Sequence, residues 1–358
     1  MFAIHPISGV AFLAAYGLAL ALSALFCRLT IRLLGGPGPL ARFVRERVPA
    51  KPGAVPFGGV AVVLSFLIVI WIIIAFENLP STHLKLFGTV SLGVALMFLL
   101  GIYDDLVVAT PWTKLLGQGV IALGLYFAGF QIERIGDWWE FGPLAPVVTL
   151  LWIVGISNSL NLIDGQDGLA GSIVFLSCLT LTFVYLGRQM FEAPFIAVVL
   201  AGSIFGFLLF NWPPAKIILG DTGSLPLGLL MALVTLLPLS QGYTDEIFYL
   251  IPVVTLLVPI TDTTWAFFRR LAKGVSPFSR DQEHFHHRLE RLGLSPTQSI
   301  FVLLGIAIYF DLWSLLPVYK IDLIPNFIPV FFLGILIHLA GLSFWLWYLE
   351  RNNPPGVQ

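Results

Sequence analysis

Apolar residues in this chain run in long unbroken blocks, and polar positions gather between them. The blocks are about 17–23 residues long, and about 20 residues of α-helix cross the hydrocarbon core of a bilayer. Eleven membrane spans are expected, at roughly 8–33, 55–76, 86–103, 113–130, 144–160, 170–187, 194–211, 223–239, 247–268, 298–316 and 326–348. Helices apolar on every side belong in lipid or in a large core, not on a water-facing surface. Linkers are short apart from 34–54 and 269–297, and no internal repeat is evident. The predicted fold is an all-α integral membrane protein of about eleven transmembrane helices, a single polytopic domain over residues 1–358 without a soluble appendage.

Composition supports this reading. The chain has 358 residues, of which 58% are hydrophobic and only 11% charged, against roughly 25% charged in a soluble domain. Too few polar residues remain to cover the two soluble domains that length alone would allow. A net charge of −1 gives no reason to expect nucleic acid as a partner. Cys27 and Cys178 lie in apolar blocks and are expected as small core residues, not as a disulfide. Met1 to Val10 lacks the basic region of a cleavable signal, so Ser8 to Leu33 is expected as a retained first span.

Eleven spans put the termini on opposite sides, and lysine and arginine choose the orientation. Of the 19 lysines and arginines, Lys85, Arg134, Arg188 and Lys320 fall on one side and all the others on the opposite one. The basic side is expected to be cytoplasmic, with the N-terminus outside and the C-terminus inside, in an inner or plasma membrane. Trp138 and Trp139 on the other side suit an outer aromatic belt. The unusual polar residues sort to the basic side, so loops 34–54, 103–113, 159–170, 212–222 and 269–297 are expected to form the active face.

Candidate chemistry lies at those span ends. GIYDDL (101–106) closes the third span on Asp104 and Asp105. Charge near a bilayer is costly and commonly functional. Paired acids repel unless a cation is near, and magnesium with a diphosphate would supply one; a merely hydrated helix end reads the same way. NSLNLIDGQDGLAG (158–171) sets Asn158, Asn161, Asp164 and Asp167 among glycines. Carboxamides and carboxylates bind hard cations or read a nucleobase edge, whereas a plain polar turn needs fewer of them. Its spacing does not match a calcium loop. In LGDTGS (219–224), Asp221, Thr222 and Ser224 are expected to cap the next helix, whose free N–H groups attract anions. The loop 269–297 is dense in lysine and arginine and holds His284, His286 and His287, donors suited to phosphate oxygens. Zinc finds no nearby cysteine. Lys114 follows the acid pair, and Lys51 precedes Gly58-Gly59; each alone reads as a membrane-surface cation, and beside a phosphate as a ligand.

Together these motifs resemble the polyprenyl-phosphate N-acetylhexosamine-1-phosphate transferase superfamily. The likeness runs from about Lys51 to about Gly293 and rests on GIYDDL with Lys114 downstream, NSLNLIDGQDGL, ILGDTGSLPLG, PITDTTWAFFRR and SPFSRDQEHFHHRL. The last of these is similar to the WecA-like and TagO-like branch; the peptidoglycan-precursor branch has consecutive histidines, a run that Phe285 interrupts here. AKPGAVPFGG lacks the family's usual histidine before the Gly-Gly pair.

The resemblance implies transfer of a sugar-1-phosphate, first of all N-acetylglucosamine-1-phosphate, from a UDP-sugar to undecaprenyl or another polyprenyl phosphate. UMP is released and cell-envelope glycan synthesis begins. It implies Mg²⁺, with Mn²⁺ as the alternative, held by Asp221 and Asn161. Asp104 is expected as base and Asp105 beside it at the acceptor phosphate, with Lys114 catalytic. Substrate contacts are expected from Lys51, Asn158, Asp164, Arg280, His284, His286 and His287, and Asp167 is expected to read uracil. A homodimer is the expected assembly if the chain associates. Two rivals are an intramembrane aspartyl protease, echoed by Tyr103-Asp104 and Gly220-Asp221 but failing at Ile218, and a polytopic transporter, whose polar residues would lie near mid-membrane.

Overall fold

The computed structural model describes residues 8–48, 50–77, 79–136, 139–243, 247–276 and 283–320, with isolated positions beyond; at 247 and 316–320 it describes the backbone alone. Among these residues the helices are α1 (Gly9–Gly35), α2 (Pro39–Arg47), α3 (Gly58–Glu77), α4 (Ser81–Val107), α5 (Pro111–Phe127), α6 (Ala145–Ile163), α7 (Leu169–Gly187), α8 (Glu192–Asn211), α9 (Asp221–Ser240), α10 (Ile247–Thr255), α11 (Leu257–Ala272), α12 (Phe285–Arg291) and α13 (Pro296–Lys320). Two-residue strands β1 (Arg134–Ile135) and β2 (Trp139–Glu140) pair antiparallel between α5 and α6.

The chain is an all-α integral membrane protein in its helical content and apolarity. α1, α3, α4, α6, α7, α8, α9 and α13 are each long and apolar enough to cross a bilayer, and α10 with α11 makes a ninth such unit. α5 fills the block expected at 113–130 with 17 residues. The block expected at 326–348 lies almost entirely outside the described residues, as does Trp138.

One expected span differs in shape. The block 247–268 is not one rod but α10 and α11, bent by 72°. Pro259 has no N–H to donate to the Thr255 carbonyl four residues back, and its ring would crowd that carbonyl. The freed carbonyl instead accepts from Ser177 Oγ on α7 at 3.0 Å. A neighbouring hydroxyl thus satisfies the backbone at the break, as membrane interiors require.

Small residues set the helix spacing. On α1, Ala11, Ala15, Ala19, Ser23 and Cys27 are buried at every fourth position, so they share one face. That face meets α8, where a Cβ on Gly206 would run into Ser23 and the Leu20 backbone. α9 is the most enclosed span, with α4, α6, α3 and α8 against it. Close backbone approach of this kind drives helix association where lipid removes the hydrophobic difference.

Candidate active site

The chemistry-bearing residues collect where α4, α6, α8 and α11 end and α5, α7, α9 and α13 begin. An extended stretch before α3 runs parallel to the one before α9. The Val55 and Gly58 N–H groups donate to Lys216 and Ile218 carbonyls at 3.0 and 2.8 Å, and Ile218 N–H returns to Val55 at 2.8 Å. Gly59 then lies on Gly223, so close that a Cβ there would overlap the Gly223 backbone; at Gly101, a Cβ would overlap the Asp221 carbonyl. These two glycines let α3 and α4 press against the first turn of α9.

That first turn is capped from another helix. Gly220 precedes α9 with φ of 71° and carries no side chain to cap it. The carboxylate of Asp105, at the end of α4, accepts from Asp221 N–H at 3.0 Å and from Thr222 N–H at 2.9 Å, and also from the Thr222 hydroxyl. The capping expected of Asp221, Thr222 and Ser224 therefore comes from Asp105. The helix bundle can provide this only because the Gly101 contact brings α4 alongside. With its own terminus already satisfied, the Asp221 side chain is free to face the site.

Around Asp221 four side chains converge. Lys114, in the first turn of α5, donates to Asp104 Oδ2 at 3.0 Å, to Asn161 Oδ1 at 3.3 Å and to Asp221 Oδ2. Asn161 Nδ2 donates to Asp221 Oδ1 and to Ser224 Oγ, each at 2.8 Å. Asp104 Oδ1 accepts from Ala109 N–H at 2.9 Å across a turn in which Val108 is left-handed, φ 57°. A β-branched residue avoids that region, so local strain accompanies the turn that aims Asp104. Asp164 lies half-buried next to this group. Burial, then the nearby carboxylates of Asp221 and Asp105, push its carboxyl well above the usual range.

Two further groups flank the cluster. Lys51 Nζ pairs with Asp167 Oδ1 at 2.7 Å, and Asp167 Oδ2 accepts from Ala215 N–H at 3.3 Å. On the other flank stands α12. His286 is 2% exposed, and its ring nitrogens have no hydrogen-bond partner among the described residues. A Cβ on Gly165 would stand 3.1 Å from His286 Nε2, so the glycine lets the histidine reach the 164–168 loop. Burial, then His287, lowers the His286 imidazole to about 4; near neutrality it is an uncharged donor and acceptor. His287 is partly exposed, 3.7 Å from Glu290. His284 binds Asp262.

Most of the sequence-derived residues thus come together: Asp104, Asp105, Lys114, Asn161, Asp164 and Asp221 in one group, Lys51 with Asp167, and the three histidines at α12, His284 as its N-cap and His286 and His287 on the helix. Asn158 does not face the cluster in the same way. Its amide pairs with Gln118 at 2.7 Å and with the Val154 carbonyl at 2.8 Å, tying α6 to α5. Arg280 lies outside the described residues. Residues not singled out in the sequence also shape the site. Asn211 accepts from Gly168 N–H and donates to the Ile217 carbonyl, both at 2.8 Å, and Gln166 ties the 164–168 loop to Glu290 and Pro296 at 3.0 and 2.9 Å. The available signal was a lone amide at the end of an apolar block, as in FLLFNWPP.

Comparison with known proteins places this arrangement. The model of glycosyl transferase family 4 matches residues 87–238. A "Probable undecaprenyl-phosphate N-acetylglucosaminyl 1-phosphate transferase" of Bacillus subtilis (strain 168) is 31% identical over 341 residues, covering 93% of this chain and 92% of the relative. A "Decaprenyl-phosphate N-acetylglucosaminephosphotransferase" of Mycobacterium leprae is 29% identical over 318 residues, 81% of this chain and 80% of the relative. A "Phospho-N-acetylmuramoyl-pentapeptide-transferase" of Levilactobacillus brevis is 33% identical over 220 residues, 55% of this chain and 66% of the relative. With such identity spread over nearly its whole length, the chain belongs to glycosyl transferase family 4, the polyprenyl-phosphate N-acetylhexosamine-1-phosphate transferases, in its WecA-like and TagO-like branch.

Proposed function

We propose that this protein transfers N-acetylglucosamine-1-phosphate from its UDP-sugar to undecaprenyl or a related polyprenyl phosphate, releasing UMP, with the active face on the cytoplasmic side of the plasma membrane. The observation that carries the reading is the convergence of Asp104, Lys114, Asn161 and Asp221 from four helices at one end of the bundle. The strong relatives by name act on polyprenyl phosphates and support the lipid acceptor. The eleven-span layout with the N-terminus outside, and the loops 34–54, 103–113, 159–170, 212–222 and 269–297 as one face, complete the proposal. An aspartyl protease dyad needs two carboxylates sharing a proton; here the Lys114 ammonium stands between Asp104 and Asp221.

The donor set fits a hard divalent cation. Among the described residues no three His, Cys, Asp or Glu side chains form a metal cage by themselves. Magnesium does not need one, since one or two carboxylates with substrate phosphates suffice. Held by Asp221 and Asn161, magnesium (or manganese) would neutralise the diphosphate and ease departure of UMP. Lys114, whose ammonium meets Asp104, Asn161 and Asp221, would add a second positive charge beside the diphosphate. Asp105 acts by holding the α9 terminus and so the Asp221 side chain. Asp167, with Lys51, is the candidate for uracil. Asp104 faces the acceptor phosphate; that monoester's second pKa is about 6, so it arrives mostly as a dianion and needs little help from a base. The lipid phosphate then attacks the β-phosphorus directly. Exchange of labelled UMP into UDP-sugar should require added lipid; robust exchange without lipid would instead indicate a covalent enzyme intermediate.

The test of function is transfer of radiolabel from a panel of UDP-sugars to undecaprenyl phosphate by purified protein, with and without Mg²⁺. Labelled lipid from UDP-N-acetylglucosamine alone, dependent on Mg²⁺, is expected. No labelled lipid from any donor would overturn the reading.

A further inference from the structure

Asp262 lies on α11 beyond the bend, 3% exposed, and the transfer described above does not use it. Both of its oxygens meet one short segment. Oδ2 stands 2.8 Å from His284 Nδ1, and Oδ1 accepts from Phe285 N–H at 2.9 Å. His284 is itself 5% exposed. A carboxylate accepts and does not donate, so Nδ1 of His284 carries hydrogen, and Nε2 is the nitrogen left to meet something else. Phe285 opens α12, whose N-cap, His284, makes no capping bond of its own. Asp262 supplies that cap from a different helix. The His284 and His286 rings lie 6.1 Å apart at 4° to one another, and His286 meets the loop beside Gly165. Gln166 holds the far end of α12 through Glu290. One buried carboxylate therefore fixes the His284 ring, the start of α12 and the approach of His286 to the 164–168 loop.

We infer that Asp262 is a positioning residue for the transfer, holding His284 with Nδ1–H toward α11 and Nε2 toward the donor diphosphate. This rests on the function proposed above. A carboxylate behind an imidazole plays this orienting part in other enzymes, where it selects the tautomer without reacting itself.

The test uses the full chain in lipid vesicles and three variants: Asp262→Asn, His284→Asn and the double variant. Asparagine at 284 retains a donor in the place of Nδ1, keeping the bond to Asp262, and lacks Nε2. Each single variant should lower kcat by about 100-fold or more while KM for the UDP-sugar moves less than about threefold. The double variant should be no slower than the worse single one, because both remove the same unit. Losses that multiply, a loss wholly in KM, or an Asp262→Asn variant with wild-type kcat would each overturn the role. A second measurement does not depend on activity. In ¹⁵N-histidine NMR, with His284 assigned by its absence in His284→Asn, Nδ1 should be protonated in the wild type and the signal should change in Asp262→Asn. An unprotonated Nδ1 overturns the inference. A wild type that transfers no sugar phosphate while Nδ1 is protonated overturns the proposed function and the catalytic role with it, leaving the Asp262–His284 pair as a feature of the fold.

Discussion

Lys114 meets oxygens from three other helices, and this decides how its neighbours respond to substitution. Asp221→Asn keeps the size and a partner for Asn161 but removes one of the two carboxylates facing the ammonium. Turnover should fall by about 100-fold or more, since charge aimed at a reacting phosphate is worth roughly that much, while the purified protein stays folded. Retention of over about a tenth of wild-type rate at saturating Mg²⁺ would rule out the ligand role. His286 predicts a pH effect on stability. Its imidazole is lowered from 6.5 to about 4, mainly by burial. A depressed histidine binds its proton in the unfolded chain first, so this contribution is whole above about 6.5 and is lost as pH falls toward about 4. The loss is at most about 3–4 kcal/mol. His286→Gln should flatten that part of the melting curve against pH; parallel curves for the two proteins would count against it. The acid pair, the 158–171 cluster and the histidines were legible as residues, because charge set in apolar surroundings is costly and seldom kept without a use. Which oxygen faces which partner was not, since GIYDDL reads identically whether Asp105 meets a phosphate or, as found, the α9 terminus.

At the scale of elements, the backbone contacts at glycine are what build the site. Gly59→Ala sets a methyl group against the Gly223 backbone rather than against a side chain that can turn away. Overpacking of this kind costs about 1–3 kcal/mol, and the strain falls on the turn that carries Asp221. The expected result is a lower melting temperature together with a loss of transfer. Gly119→Ala, where a Cβ would find open space, should leave both nearly unchanged; equal effects of the two would remove the close-packing argument. Helix positions were legible from apolar block lengths, and α6, α7, α8 and α9 begin and end within a few residues of expectation. The bend between α10 and α11 was hidden, because a proline within an apolar block can be accommodated in a helix or can break it, and here the Ser177 hydroxyl on α7 receives the freed carbonyl.

For the whole molecule, the helix directions place Lys85, Arg134 and Arg188 at the end away from the site, in agreement with the charge sorting. Cysteines introduced singly at Arg42 and Gln241, both exposed, in a background lacking Cys27 and Cys178, should report the sidedness. Gln241 should react with a membrane-impermeant thiol reagent in intact cells, and Arg42 only in inverted vesicles. The reverse pattern would turn the proposed topology over.

Composition and block length were enough to establish a membrane-spanning helical chain, because the cost of leaving charge or open backbone in lipid admits few other arrangements. Motif order was enough to mark the family, because five motifs follow one another in a fixed order at the ends of the apolar blocks. The capping of α9 by Asp105, the docking of α12 by Asp262 and the clamp of Asn158 on Gln118 were decided only in three dimensions. Each joins residues from different helices, and which helices touch depends on where small residues let backbones approach, a relation between distant segments that no local pattern records.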